Sequence, residues 1–171
     1  LPGLQSGDFV SSPDASSEIL LRGARASGSD TGLLRLANLR ATPESVALPL
    51  VTSPHSGSPD GLTVHHDGLY FFAQDPAHGR EPWHFDGSTA HRVTEIFHGH
   101  VGYGVSSRSR PVLFGDGLLF GSYFLSGPQG DAVKLPLPPA CPAFENPVAR
   151  GGRFFFTCQG AVFVSDGTVA G

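Results

Sequence analysis

The feature that most constrains this chain is a pattern of short apolar runs that recurs about every 40 residues. Asp-Gly pairs separate or follow these runs at positions 67–68, 86–87, 116–117 and 166–167. An Asp-Gly pair between alternating apolar runs predicts a type I′ hairpin turn, which needs positive φ at both central residues. Units of about 40 residues with four short strands are typical of propeller blades, and one blade cannot bury both faces of its sheet alone. The pattern therefore predicts an array of small antiparallel sheets.

Composition excludes the main alternatives to an all-β fold. Charged residues make up 15% of the chain, whereas glycine and proline occur 23 and 15 times. A helical bundle or a coiled coil needs long segments free of glycine and proline, which this sequence lacks. Disorder fits poorly as well, because 13 phenylalanines give the chain apolar surface to bury. We expect an all-β, propeller-like array of about four short antiparallel blades, the last of them incomplete.

The apolar runs divide the chain into an arm and a single β-repeat domain. Residues 1–17, rich in serine, glycine and proline, predict an irregular N-terminal arm. The repeat domain covers residues 18–171, with units at about 18–51, 62–97, 111–138 and 147–171. In the third unit the run 118–124 predicts one strand, and in the fourth unit the pairs 151–152 and 159–160 predict turns.

The two ends of the sequence also lead to an expectation. The chain contains no methionine, and its last unit stops just after Thr168, before a fourth strand. We therefore expect a fragment or a subunit of a larger assembly, from which a secretory signal peptide has been removed.

Residues 79–88, Gly-Arg-Glu-Pro-Trp-His-Phe-Asp-Gly-Ser, carry a more specific motif. They resemble the ELWxxDGT repeat of secreted and surface-associated bacterial proteins, with Pro82 in place of the leucine and Ser88 in place of the threonine. Residues 152–171 resemble a second copy, in which Val-Phe replaces Leu-Trp. The resemblance implies a β-propeller-like array outside the cytoplasm and no particular reaction. The motif residues that it implies are Trp83, Asp86, Gly87, Asp166, Gly167 and Thr168.

Pro82 adds one local expectation within this motif. Proline has no N–H to donate to a strand ladder, and it is found on edge strands or at bulges. We therefore expect the strand that contains Pro82 to lie at the edge of its sheet or to be bulged there.

Cys141 and Cys158 are the two cysteines of the chain, and no CxxC spacing is present. An even pair in a loop-rich chain favours one disulfide, formed in an oxidising compartment, over a metal or redox motif. The alternative is a pair of buried free thiols. The sequence therefore predicts a Cys141–Cys158 disulfide and a secreted, periplasmic or cell-surface location.

All eight histidines lie between positions 55 and 100. His98 and His100, with Glu95 nearby, form an N/O ligand set that suits zinc or copper. The simpler interpretation is that the histidines occupy exposed polar positions on strands and loops. No HExxH or HxxEH spacing indicates a hydrolytic site. We expect no cofactor and keep a metal-dependent hydrolase or oxidoreductase, built on His98, His100 and Glu95, as the alternative.

Aromatic residues and net charge indicate which partners to expect. Tyr103 and Tyr123, with Tyr70 and Trp83, could form a surface for a protein or a carbohydrate, although repeated aromatics more often pack blades together. A formal net charge of −4 without any basic run disfavours nucleic acid. No stretch of about 18 apolar residues is long enough to cross a bilayer. The sequence predicts a non-catalytic, extracytoplasmic binding or structural module, an accessory subunit or fragment of a larger protein assembly.

Overall fold

The computed structural model of the protein describes residues 9–11, 19–24, 31–36, 44–45, 59–65, 67–75, 78–96, 111–127, 130–139, 141 and 145–168. Every regular secondary-structure element among these residues is a β-strand. The prediction of an all-β fold is confirmed.

Within the described ranges the strands form four antiparallel sheets, each built from strands that follow one another along the chain. The first sheet contains β1 (Phe9–Ser11), β2 (Ile19–Ala24), β3 (Thr31–Leu36) and β4 (Glu44–Ser45). The second sheet contains β5 (Asp60–His65), β6 (Gly68–Asp75), β7 (Gly79–Phe85) and β8 (Ala90–Arg92). The third sheet contains β9 (Val112–Phe114), β10 (Gly117–Phe120), β11 (Tyr123–Leu125) and β12 (Ala132–Lys134). The fourth sheet contains β13 (Glu145–Arg150), β14 (Arg153–Cys158) and β15 (Ala161–Ser165).

The chain divides into two compact units, Leu1–Gly102 and Tyr103–Gly171. The first unit contains the first and second sheets, and the second unit contains the third and fourth sheets. The predicted arm supplies one strand, because β1 pairs with β2. Each of the four predicted repeat units contains the greater part of one sheet, whereas a single propeller-like domain stays a prediction.

The second sheet holds the core of the first unit as far as side chains are described. Alternate residues of a strand share one face, and alternate apolar residues of β6 and β7 pack together on one face of this sheet. The opposite face of β6 carries Tyr70 and Phe72, which are also buried. The strand β6 is therefore covered on both faces. The core cluster consists of Leu62, Leu69, Phe71, Ala73, Trp83, Phe85 and Ala90.

The third and fourth sheets share a core in the second unit. The ring of Phe114, next to the β9–β10 turn, meets Phe154 of β14 edge-on at a centroid distance of 5.3 Å. Phe154 and Phe156 lie on one face of β14 and are 1% and 4% exposed. The buried members of this cluster are Leu119, Leu135, Cys141, Phe154, Phe156 and Cys158.

Both hairpins of the fourth sheet close through the predicted two-residue turns. Arg150 is the Cα partner of Arg153, which leaves residues 151 and 152 as the turn, with φ of 59° and 71°. Cys158 is the partner of Ala161, and the turn residues 159 and 160 have φ of 49° and 80°. Positive φ at both central residues is what a type I′ turn requires.

The Asp-Gly pairs of the second and third sheets do not form type I′ turns, so this prediction is wrong for both. Gly68 is the Cα partner of His65, and Gly117 is the partner of Phe114. The turn residues are therefore 66–67 and 115–116, and each glycine is the first residue of the next strand. Asp86-Gly87 also departs from the prediction, because it belongs to a four-residue loop between β7 and β8.

Close approach by the neighbouring strand explains both glycines. A Cβ on Gly68 would overlap the imidazole of His84 and the carbonyl oxygen of Phe85, which is the last residue of β7. A Cβ on Gly117 would overlap the carbonyl oxygen of Leu125, which is the last residue of β11, and the ring of Phe124. The two glycines thus occupy the same place in the second and third sheets, and this supports the internal repeat.

The apolar run 118–124 forms two strands rather than the one that was predicted. Phe120 of β10 is the Cα partner of Tyr123 of β11, with Gly121 and Ser122 as the turn between them. Gly121 has a φ of 55°, a left-handed conformation that glycine adopts readily, and the chain reverses direction there. A run that remains apolar on both sides of a glycine conceals such a turn.

Pro82 lies in β7, which is an inner strand of the second sheet, so the expectation of an edge strand is wrong. The carbonyl oxygen of Pro82 accepts a hydrogen bond from the amide of Val93 at 3.0 Å, beyond the end of β8. In an antiparallel strand the N–H and C=O of one residue point to the same neighbour. The missing N–H of Pro82 therefore faces the side where β8 has already ended at Arg92, and the ladder between β6 and β7 keeps its hydrogen bonds.

Candidate functional site

The fourth sheet carries a row of exposed apolar side chains on one face. Val148, Phe155 and Val164 are Cα partners across its three strands, and they are 60%, 41% and 49% exposed. Val162 lies two residues before Val164, on the same face, and is 74% exposed. We call Val148, Phe155, Val162 and Val164 the outer apolar row.

This exposure sets β14 apart from the corresponding second strands of the other sheets with described side chains. Every residue of β10 is buried, and so is every residue of β6 from Gly68 to Ala73. Along β14, by contrast, Phe154 and Phe156 are buried, whereas Phe155 between them is exposed. The second strand is therefore covered on both faces in the second and third sheets and on one face in the fourth.

Two arginine side chains stand at one end of the outer apolar row. Arg150 and Arg153 face each other across the β13–β14 turn, and Glu145 is the Cα partner of Thr157 at the other end. The arginines and Glu145 are exposed. Since paired residues and alternate residues share a face, both arginines lie on the face of Phe155, whereas the register of β13 shifts between Glu145 and Val148. The outer face of the fourth sheet thus has an apolar centre and two arginines at one end.

A polar cluster around Asp67 is the second candidate site. The carboxylate of Asp67 accepts hydrogen bonds from Nδ1 of His65 at 2.5 Å and from the hydroxyl of Tyr70 at 2.9 Å. Its backbone oxygen accepts one from Nε2 of His84 at 3.0 Å. The ring of His84 lies 4.6 Å from that of Tyr70 and 5.1 Å from that of His91. The turn between β5 and β6 is thereby joined to β7.

Burial and hydrogen bonding set the charges of this cluster. Burial lowers the pKa of His84, and the raising effects of Asp67 do not offset it. Burial raises the pKa of Asp67, but hydrogen bonds from His65 and Tyr70 outweigh this effect and leave that pKa below its usual value. Burial, reinforced by the hydrogen bond to Asp67, raises the pKa of the Tyr70 phenol. Near neutral pH, Asp67 is charged, whereas His84 and Tyr70 are neutral.

These protonation states suit a structural brace better than a reactive centre. Tyr70 keeps its proton, and the carboxylate of Asp67 already accepts two hydrogen bonds. His84 uses Nε2 as a donor, while its Nδ1 is buried with no hydrogen-bond partner among the residues that the structure describes. The cluster holds a turn in place and directs its polar atoms inward.

The expectation that the histidines are exposed is wrong for two of them. His65 and His84 are 7% and 3% exposed. Sequence reasoning treated Asp67 only as a turn residue and missed the cluster. A usable signal was present, because Tyr70, His84 and His91 are successive cross-strand partners, and polar residues in one row of a sheet can contact each other.

The motif residue Asp86 shapes the loop between β7 and β8. Its Oδ1 accepts hydrogen bonds from the amides of Ser88 and Thr89, each at 2.8 Å, and from the Ser88 hydroxyl. Gly87 follows with a φ of 100°. The amides of Thr89 and Ser88 hold the pKa of Asp86 far below its usual value. The ionised carboxylate therefore stabilises this loop.

Asp166 occupies the corresponding position after β15. Its Oδ1 accepts hydrogen bonds from the Thr168 amide at 2.9 Å and the Thr168 hydroxyl at 2.7 Å. Gly167 lies between them with a φ of 83°. The hydrogen bonds from Thr168 hold the pKa of Asp166 below its usual value, with a smaller contribution from Arg153. The two copies of the motif thus form the same kind of turn.

The aromatic residues are distributed between the core and the surface. Trp83 is 1% exposed and belongs to the core of the second sheet, and Tyr70 is 2% exposed. Tyr123 is half-buried and stacks on Phe120 at a centroid distance of 6.3 Å. Tyr103 lies outside the described residues, so a binding surface formed by Tyr103 and Tyr123 stays a prediction.

The proposed metal ligands are only partly described. Glu95 is exposed, whereas His98 and His100 lie outside the described residues. Among the residues that are described, no group of three or more histidine, cysteine, aspartate or glutamate side chains could hold a metal ion. The alternative of a metal site at His98, His100 and Glu95 therefore stays a prediction.

Cys141 and Cys158 are paired as a disulfide, with their Cα atoms 5.8 Å apart. This pairing fits the predicted bridge and not the alternative of two free thiols. Both cysteines belong to the core between the third and fourth sheets and are 5% and 4% exposed. The bridge fastens the loop after β12 to the end of β14.

No protein-family model matches this chain, and no curated protein matches it. The resemblance to the ELWxxDGT repeat rests on the motif residues themselves and stays a prediction. In the part of the chain that the structure describes, no helix is long and apolar enough to cross a membrane.

Proposed function

We propose that this chain is a non-catalytic, extracytoplasmic β-repeat module that works by binding, as an accessory subunit or a part of a larger protein assembly. In this proposal the sheets are blades of a propeller-like array related to the ELWxxDGT repeat proteins. The observation that carries the proposal is the outer apolar row of the fourth sheet.

The row has the properties of a surface that is covered in the functional state. Its four members adjoin each other on three neighbouring strands and are 41–74% exposed. Surface apolar residues of a monomer are usually scattered singly, whereas contiguous patches mark interaction sites. Burying one valine or phenylalanine side chain fully contributes about 1.5–3 kcal/mol. A partner that covers this row gains, for each of its side chains, the share of this free energy that corresponds to the exposed part.

The repeat itself supports the same conclusion. In the second and third sheets the second strand is covered on both faces, as expected for blades that depend on their neighbours. Among the described residues, β14 differs from these strands because one of its faces is exposed. Arg150 and Arg153 at one end of the row give the partner a defined orientation.

Two further observations support the location and the absence of catalysis. The Cys141–Cys158 bridge is of the kind that forms in oxidising compartments. The titratable groups gathered around Asp67 are mostly buried and bonded to each other, which suits a structural role.

Native mass spectrometry of the protein taken from its own source tests this proposal. We expect the chain within a larger protein particle, free of transition metal, and two hydrogens lighter than its reduced mass. A chain that runs alone and carries one equivalent of a transition metal would contradict the proposal and favour the metal-dependent enzyme.

A variant pair tests whether the outer apolar row holds the particle together. Phe155→Ser combined with Val164→Thr should release the chain from the particle. Val133→Thr is the matched control, because Val133 is 57% exposed but lies in the third sheet. If the double variant remains in the particle as firmly as the control, the row is not the binding surface.

A further inference from the structure

We infer that the Asp116-Gly117 pair is a site of spontaneous covalent modification, at which the main chain converts from aspartate to isoaspartate. This inference goes beyond the proposed function and does not depend on it. It rests on how differently the fold holds the carboxylates of the Asp-Gly pairs.

The reaction needs only the chain itself and water. The amide nitrogen of the glycine attacks Cγ of the preceding protonated carboxyl group, a C–N bond forms, and the C–OH bond breaks. The hydroxyl leaves with the amide proton as one molecule of water, and a succinimide ring remains. Water then opens the ring at either of its two carbonyl carbons and gives aspartate or isoaspartate, so the final mass is unchanged. Glycine favours the attack, because it has no side chain to hinder the amide.

The carboxyl group must meet two conditions in this reaction. It must be free to turn toward the next amide, and it must carry a proton so that water can leave. A hydrogen bond or ion pair to the carboxylate opposes both conditions, because it fixes the oxygens and favours the charged form. A fold can therefore protect an Asp-Gly pair by holding its carboxylate.

The chain contains five Asp-Gly pairs, and hydrogen bonds or an ion pair hold the carboxylate in four of them. The pKa values of Asp67, Asp86 and Asp166 accordingly lie below the usual aspartate value, so the protonated form that reacts is rare there. The partners are Arg80 for Asp60, His65 and Tyr70 for Asp67, Ser88 and Thr89 for Asp86, and Thr168 for Asp166.

Asp116 differs from these four aspartates. It is exposed, and it forms no hydrogen bond or ion pair with any residue that the structure describes. The turn around it is open as well, because a Cβ built on Gly115 meets nothing within 4 Å apart from its chain neighbours. The fold thus leaves the carboxyl group of Asp116 free to turn toward the amide of Gly117.

Asp67 allows a direct comparison with Asp116. Both are the second residue of a two-residue turn, and Gly68 and Gly117 both begin the next strand. The carboxylates differ, because two hydrogen bonds hold that of Asp67. We expect Asp116 to react at least about tenfold faster than Asp67, since breaking one hydrogen bond to a charged group costs about this factor.

Isoaspartate at position 116 would disturb the third sheet. The main chain becomes longer by one carbon atom in a turn whose next residue, Gly117, is packed closely against β11. On the other side of the turn, Phe114 makes the edge-on contact with Phe154 that joins the third and fourth sheets. We therefore expect the isoaspartate form to unfold at a lower temperature than the aspartate form. Circular dichroism of the two forms, separated by chromatography, measures this difference.

Labelling with heavy oxygen tests the inference. The folded full-length chain is incubated for several weeks near neutral pH in water enriched in heavy oxygen, because each passage through the succinimide takes up one oxygen atom from water. Tryptic digestion in ordinary water places Asp116, Asp86 and Asp166 in separate peptides and leaves Asp60 and Asp67 together in one. Mass spectrometry should show the label first in the peptide that contains Asp116. Label that enters any other of these peptides as fast overturns the inference.

Two controls show whether the fold and this carboxyl group cause the preference. In urea the five pairs should take up label at similar rates, because each is then an Asp-Gly dipeptide in an unfolded chain. Asp116→Glu keeps the charge but would have to form a larger ring, so its peptide should remain unlabelled. A preference for Asp116 that persists in urea, or label that enters the Asp116→Glu peptide at the wild-type rate, overturns the inference.

Discussion

Nε2 of His84 lies 3.0 Å from the backbone oxygen of Asp67, 17 residues earlier in the chain. This hydrogen bond joins the turn between β5 and β6 to the third strand of the same sheet. The imidazole fits there only because the adjacent Gly68 has no Cβ, which would overlap it. Gly68 and His84 therefore form a matched pair, and a change at either residue disturbs the turn.

The first prediction concerns pH. Because burial lowers the pKa of His84 in the folded state, the unfolded chain takes up this proton more readily than the folded chain. The free energy of unfolding should therefore fall as pH is lowered below the ordinary histidine value of about 6.5. The contribution of Asp67 is lost only near and below its ordinary pKa of 3.8, outside this window. Urea unfolding between about pH 5 and pH 7.5, followed by Trp83 fluorescence, measures the effect.

Two substitutions assign this pH dependence to His84. His84→Gln keeps a side-chain donor but no longer titrates, so the slope of stability against pH should decrease. Gln74→Asn, at an exposed and non-titrating position of the neighbouring strand β6, is the control and should retain the wild-type slope. A His84→Gln variant with the full wild-type slope would show that other groups cause it.

The second prediction concerns the motif loop after β7. Asp86→Ala removes an acceptor that two backbone amides and two hydroxyls use. The free energy of unfolding should fall by about 1 kcal/mol, since the loop is exposed and water replaces part of what is lost. Asp116→Ala, at an exposed turn of the third sheet, should change it by less than about 0.5 kcal/mol. Equal effects of the two substitutions in urea titrations would contradict the role assigned to Asp86.

The third prediction concerns the close approach at Gly117. Gly117→Ala forces the new methyl group against the carbonyl oxygen of Leu125 and the ring of Phe124. We expect a loss of about 1–3 kcal/mol, which is typical of overpacking. Gly115→Asn should be nearly neutral, because φ of 58° at Gly115 is acceptable for asparagine and the space beside it is open. Circular dichroism during thermal unfolding distinguishes the two variants, and a harmless Gly117→Ala would refute the explanation.

The fourth prediction concerns the disulfide. Replacing both Cys141 and Cys158 by alanine should lower the free energy of unfolding by about 3 kcal/mol, the value for a loop of this length in the chain-entropy model. A reducing agent should destabilise the wild-type chain by a similar amount and leave the double variant unchanged. If reduction affects both proteins equally, the agent acts elsewhere than on this bridge.

Local sequence rules work best where one residue decides the geometry. The glycine pair 151–152 requires a turn whatever surrounds it, and the pair 159–160 closes the next hairpin of the same sheet as predicted. These features of the fourth sheet follow from the sequence alone. The turns at Gly68 and Gly117 do not, because their positions depend on which residue meets the neighbouring strand.

The sequence does not reveal which polar residues are buried in the fold. His65 and His84 look like surface residues, and only the cover on the second face of the sheet places them inside. The outer apolar row is equally hidden, because the sequence of β14 resembles that of β6 and β10, both of which are covered twice. These strands differ in what packs against their second face. The residue pattern within one strand does not show what packs against it.

The Cys141–Cys158 bridge has one more consequence. It encloses the segment that contains β13 and the first turn of the fourth sheet, since the two cysteines are 17 positions apart along the chain. A protease that cuts one peptide bond within this segment would leave the two products covalently joined. The nicked protein would therefore keep its full mass in a denaturing gel and separate into two pieces only after reduction.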